Sequence, residues 1–129
     1  MRVCLVADPH VLSAEPLLNR MGKAQGLAMV QVRAKGWSGR SLARLTRRIL
    51  KRVKHEAPEV KVLVNGRLDV ALATGAAGVH LPARGLAVAR VKEMVPEEFL
   101  VGVSAHCGGD LERARAAGAD YAFVGPVFP

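Results

Sequence analysis

Thr74-Gly75-Ala76-Ala77-Gly78-Val79-His80-Leu81 returns later in the chain, with variation, as Ala117-Gly118-Ala119-Asp120-Tyr121-Ala122. In each phrase a helical pattern ends on glycine, the residue that enters a left-handed turn without steric cost, then a small residue follows and an apolar strand begins. A helix-to-strand joint used twice belongs to a barrel or a doubly wound sheet. Outward from these joints, strand-like runs over residues 3–6, 28–33, 60–64, 78–81, 100–103 and 121–124 alternate with helical patterns. The helices are predicted over 16–26, from Ser38 or Ser41 to the stop at Pro58, and over 68–74, 86–94 and 110–117. β-α repeated about six times requires a parallel sheet with right-handed crossovers.

Polar residues fall where these runs end. Asp8 and His10 follow the first, Gln31, Arg33 and Lys35 thread the second, Asn65 closes the third, His80 the fourth, and Ser104 with His106 the fifth. Parallel strands deliver all of them to the carboxyl-end rim, where α/β enzymes place their chemistry. Gln31, Arg33 and Lys35 alternate with Val30, Val32 and Ala34, so period two puts the three polar groups on one face. A parallel sheet is covered on both faces, and cations there must be paired or bind an anion. Arg33 is read as an anion ligand, with an ion pair to Asp8 as the alternative. Lys35 at the strand end fits either a ligand contact or a solvated loop. His10 and His80 read as structural histidines, and Asp69 and Asp120 as groups facing the next helix and turn.

Composition narrows the class. Half of the residues are hydrophobic but only 4% are aromatic, which suits an α/β core filled by Ala, Val and Leu. The 129 residues make one domain, and no stretch approaches the roughly 20 apolar residues that span a bilayer. A cytoplasmic location is therefore expected. Cys4 and Cys107 have no metal-type spacing and read as reduced thiols, with Cys107 beside His106 the better placed for a ligand. The net charge of +8 is concentrated in Arg40, Arg44, Arg47, Arg48, Lys51, Arg52 and Lys54, interleaved with Leu42, Leu45, Ile49, Leu50 and Val53 at helical spacing. That is an amphipathic helix with a solvated face. Without interleaved aromatics to stack bases it argues against nucleic acid, and the charge is better suited to drawing in a phosphorylated anion.

Five phrases, in order and spacing, resemble the thiamin phosphate synthase family: Val30-Gln31-Val32-Arg33-Ala34-Lys35-Gly36, the nine residues from Val64-Asn65-Gly66-Arg67 to Leu72, Gly78-Val79-His80-Leu81-Pro82, Gly102-Val103-Ser104-Ala105-His106, and the stretch from Ala119 through Gly125-Pro126 to Pro129. The resemblance implies a TIM-type (β/α) barrel. Residues 1–129 would be a single α/β domain of about six β-α units, incomplete because the last two units of a (β/α)₈ barrel are absent.

The departures from the family pattern are specific. Synthases of this family carry an acidic residue after the Asn of the third strand and an acidic pair after the fourth, which hold the Mg²⁺ that neutralises a pyrophosphate leaving group. Here those places read Asn65-Gly66 and Pro82-Ala83-Arg84-Gly85. No catalytic metal or other cofactor is therefore expected. Asn-Gly-Arg and Leu-Pro instead resemble the TenI-type thiazole tautomerases, which aromatise a thiazole carboxylate phosphate tautomer with a histidine in the Ser-x-His position. That implies His106 as the proton-transfer residue; the expected substrate contacts are Gln31, Asn65, His80, Ser104 and Gly125, with Arg33 and Lys35 added on the ground of their charge. A surface loop histidine is the plain alternative for His106. A degenerate thiamin phosphate synthase, and a non-catalytic phosphate-ligand binder or remnant, are the competing functions. Bare edges on strands one and six, with the apolar segment Phe123-Val124-Gly125-Pro126-Val127-Phe128, lead to the expectation of a homo-oligomer, most simply a two-fold dimer.

Overall fold

A computed structural model describes residues 2–21, 23 and 25–125. Six parallel strands, β1 Val3–Ala7, β2 Leu27–Val32, β3 Lys61–Asn65, β4 Gly78–Leu81, β5 Leu100–Ala105 and β6 Tyr121–Val124, lie side by side in sequence order. The helices α1 Ala14–Met21, α2 Gly39–Glu56, α3 Leu68–Thr74, α4 Val88–Met94 and α5 Gly108–Ala116 connect them. The result is an α/β half-barrel, with β1 and β6 at its two sides. Pro126 to Pro129, Gly22 and Ala24 lie outside the described residues, and with them the end of the expected terminal apolar segment and part of the first predicted helix.

The two glycine joints have the backbone the sequence demands. Gly75 and Gly118 sit at φ 77° and 90°, and the amide N–H groups of Ala76 and Ala119 reach back to the carbonyls of Ala71 and Ala114. A side chain at either φ would be strained. Helix α2 starts where Ser38 Oγ accepts the Ser41 amide N–H at 3.1 Å, and Leu42, Leu45, Thr46, Ile49 and Val53 form its buried stripe. The Thr46 hydroxyl, fully buried, donates to the Leu42 carbonyl at 2.8 Å, so no polar group is stranded there. Helix α1 begins at Ala14, two residues before Pro16, because proline in a first turn removes an N–H that has no intrahelical acceptor anyway.

Register sorts the side chains into two faces. Val30, Val62 and then Val32, Val64, Val79 and Val101 pair across neighbouring strands and meet the helices in the main core, with Ile49, Val70 and Val91 from the helix side. The other face, the barrel interior, carries Val6, Gln31, Leu63 and Gly78 in one row and Asn65, His80, Gly102 and Tyr121 in the next. It is therefore partly polar and aromatic rather than simply aliphatic. Among the described residues no helix is long and apolar enough to cross a membrane.

Candidate active site at the carboxyl-end rim

A cavity of about 510 Å³ opens at the carboxyl ends of β2 to β5, lined among others by Arg33, Lys35, Asn65, Arg67, Ser104 and His106. The strand ends thus bring five of the eight expected site residues onto one opening. The other three take different positions. Gln31, 4% exposed, lies below in the interior, where its Oε1 accepts from Asn65 Nδ2 at 2.8 Å and so holds the Asn65 side chain. His80, 1% exposed, lies under Ser104. Gly125 has both backbone groups engaged inside the protein: its N–H donates to the Ala105 carbonyl at 3.1 Å, and its carbonyl accepts from His106.

Arg33 and Lys35 do not stay on one pleat with Gln31, because β2 ends at Val32 and the chain turns, closed by the Trp37 N–H to the Ala34 carbonyl. The Arg33 guanidinium forms the ion pair with Asp8, Nη1 to Oδ2 at 3.1 Å, while still facing the cavity. Asp8 also accepts the His10 amide N–H, and the His10 ring bonds the Lys35 carbonyl at 2.9 Å. Arg67 is a cavity residue that sequence reasoning passed over; its only signal was its place after Asn65-Gly66. It chelates Asp69 at 3.0 and 2.8 Å, which holds that carboxyl below the usual carboxylate range. Asp69 thus sits in the first turn of α3 with its side chain turned to Arg67. Asp120 accepts the Val101 N–H and the Lys92 ammonium, each at 2.7 Å, and Cys107 is exposed just before α5. It does not line this cavity.

His106 is held from two sides. Its amide N–H donates to Asp110 Oδ2 at 2.9 Å, and this bond, with Arg113, lowers the Asp110 carboxyl below its ordinary range. Its Nδ1 lies 2.8 Å from the Gly125 carbonyl oxygen. A carbonyl can only accept, so the neutral ring carries its proton on Nδ1 and keeps Nε2 as a free base.

Beneath Ser104 lies a cluster that sequence reading did not assemble. His80 Nε2 is 2.8 Å from Ser104 Oγ, Nδ1 is 3.0 Å from the Tyr121 hydroxyl, and the rings of Tyr121 and Phe123 lie 5.6 and 5.0 Å from the imidazole. Burial pushes the His80 pKa down to about 4, so the ring is neutral at pH 7, and it raises that of Tyr121. Gly102 makes the arrangement possible: a Cβ there would overlap the Cζ, Cε1 and hydroxyl oxygen of Tyr121. Gly102→Ala is expected to displace that ring and destabilise the fold by about 2 kcal/mol, read as a lower urea midpoint at unchanged slope. An unchanged midpoint would show that the ring does not depend on the missing side chain.

The donor set does not suit a hard dication. Gly66 lines the cavity where a carboxylate would serve, no carboxylate lines it among the described residues, and Asp8 is already bonded to Arg33. Three cationic side chains face the same space and favour an anion.

A half-barrel that gathers cations, an amide and an imidazole at the carboxyl ends of parallel strands belongs to the α/β barrel class, in which ligand sites lie at that rim. The family follows from comparison: residues 3–129 match the thiamine monophosphate synthase family, TMP-TENI, and the chain belongs to it. It is 37% identical over 128 residues to a thiamine-phosphate synthase of Gloeobacter violaceus, covering 98% of this chain and 36% of that protein. A thiamine-phosphate synthase of Enterococcus faecalis is 35% identical over 131 residues, covering all of this chain and 61% of that one. Among solved structures, a thiamine phosphate pyrophosphorylase from Pyrococcus furiosus superposes with a TM-score of 0.84 at 27% identity, covering 98% of this chain and 61% of that one. The chain spans less than two thirds of the length of these relatives. The relatives' names favour the synthase over the tautomerase expected from the sequence.

Proposed function

We propose that the rim cavity binds a phosphorylated thiazole in thiamin phosphate formation. The observation that carries this is the convergence of Arg33, Lys35 and Arg67 with Asn65, Ser104 and His106 on one opening, in a chain of this family. Lys35, which has no salt-bridge partner among the described residues, and the two paired arginines would hold the phosphate or carboxylate. The first reading, supported by the relatives' names, is a synthase that joins a pyrimidine pyrophosphate to the thiazole phosphate. Its metal requirement is not met by the described residues that line the cavity.

The second reading is the thiazole tautomerase, favoured by one specific observation: an oriented imidazole whose Nε2 has no hydrogen-bond partner among the described residues, in a cavity whose described lining carries cations and no carboxylate. His106 would take a proton from one ring atom of the thiazole carboxylate phosphate tautomer and return it to another, which needs neither metal nor nucleophile.

Assaying both reactions separates the readings, with calorimetric titration of thiazole phosphate as the binding test. Tautomer turnover that survives EDTA unchanged would establish the tautomerase. Coupling activity that rises with Mg²⁺ and is abolished by EDTA would establish the synthase. Binding of thiazole phosphate without either turnover would leave a phosphate-ligand binder.

A further inference from the structure

We propose that Tyr121 is a positioning residue: its hydroxyl donates to Nδ1 of His80, fixes that ring as the Nε2–H tautomer, and so frees the Ser104 proton to be donated into the cavity. The chain of contacts is continuous. The Tyr121 hydroxyl, His80 Nδ1, His80 Nε2 and Ser104 Oγ follow one another at 3.0 and 2.8 Å, and Ser104 lines the cavity. A neutral imidazole has one N–H and one lone pair, so the two hydroxyls cannot both donate to it or both accept from it.

Chemistry decides between the two directions. A phenol is more acidic than an aliphatic hydroxyl, hence the stronger donor. Its oxygen lone pairs are delocalised into the ring, hence it is the weaker acceptor. The imidazole lone pair therefore goes to Tyr121, and its N–H to Ser104. Reversing both bonds would turn the Tyr121 proton away from His80, the hydrogen-bond partner that the described residues give this hydroxyl, and into a packed aromatic cluster. His80 is 1% exposed and neutral at physiological pH, so the tautomer is not blurred by protonation.

The consequence for the ligand is polarity at one point of the site. With its oxygen already accepting from Nε2–H, Ser104 offers a proton and asks for an acceptor: a carboxylate or phosphate oxygen, or an unprotonated ring nitrogen. Which of these it meets rests on the phosphorylated-thiazole reading. The tautomer does not.

The test begins without ligand. Long-range ¹H–¹⁵N correlation on histidine-labelled chain at pH 7.5 should show His80 with a protonated Nε2 and an unprotonated Nδ1. A dominant Nδ1–H form would overturn the proposal. In Tyr121→Phe the ring stays over Gly102 but the donor is gone, Ser104 becomes the remaining donor to His80, and the Nε2–H form should give way to Nδ1–H or a mixture. Ser104→Ala should keep Nε2–H. A Tyr121→Phe protein with the wild-type tautomer would refute the positioning role, and if that variant does not fold, the wild-type spectrum still decides. By calorimetry, Tyr121→Phe should weaken thiazole phosphate about tenfold; equal affinity would again refute the role. A wild-type chain that ignores thiazole phosphate would overturn the functional reading and leave the tautomer to be judged from the spectrum.

Discussion

On the tautomerase reading, His106→Ala is expected to lower turnover of the thiazole carboxylate phosphate tautomer by a factor of about 10² to 10⁴, the range that a positioned proton-transfer group supplies. The ring is poised for this by parts that do not themselves react. The Gly125 carbonyl accepts the hydrogen bond of Nδ1–H, the Asp110 carboxylate accepts that of the His106 backbone N–H, and Nε2 is left to act as the base. Ground-state affinity should change little, because Arg33, Lys35 and Arg67 supply the charge that holds the anion. The expected pattern is thus a collapse in kcat with thiazole phosphate affinity kept within a few-fold in calorimetry. His106→Gln sharpens the test, since its amide can still donate to the Gly125 carbonyl but cannot shuttle a proton near neutral pH. Turnover retained by either variant would remove His106 from the mechanism and leave the synthase or the non-catalytic binder.

The fold was legible because its signals are local. Glycine at 75 and 118 is demanded by backbone angle, the valine runs by burial on both faces of a parallel sheet, and the Ser38 cap by an orphan N–H of α2. The rim residues were legible for a related reason: a parallel strand has one carboxyl end, so Asn65, Ser104 and His106 had to arrive together. What could not be read depends on register between strands distant in sequence. Gly102 pairs with Tyr121, and Asn65 with His80, only because β4, β5 and β6 align as they do, and no pattern within one strand encodes that alignment. The part played by Gly125 was hidden likewise, because a backbone carbonyl leaves no trace in residue type. Arg33 was ambiguous because its two readings are compatible: it pairs with Asp8 and faces the cavity.

The same buried cluster makes the stability of the fold depend on pH. Free histidine takes up its proton near pH 6.5, whereas His80 in the folded chain holds out until about 4 because burial beside Tyr121 and Phe123 penalises the charged ring. Between these values the unfolded chain binds the extra proton and the folded chain does not, so stability rises with pH across that window and is lost as pH falls through it. Two and a half pH units of displacement correspond to about 3 kcal/mol. The carboxylates add a separate loss at lower pH, since Asp69 and Asp110 are held below their ordinary value and their contribution disappears only when they protonate. Urea unfolding at pH 7, 5.5 and 4.5 should therefore show a fall well before the carboxylate range. His80→Phe, which keeps an aromatic ring in the cluster, should flatten the curve between pH 6.5 and 4 whatever its absolute stability. NMR titration of the His80 ring gives the direct check: a midpoint near 6.5 in the folded chain would show that burial does not suppress its charge, and that the pH dependence has another source.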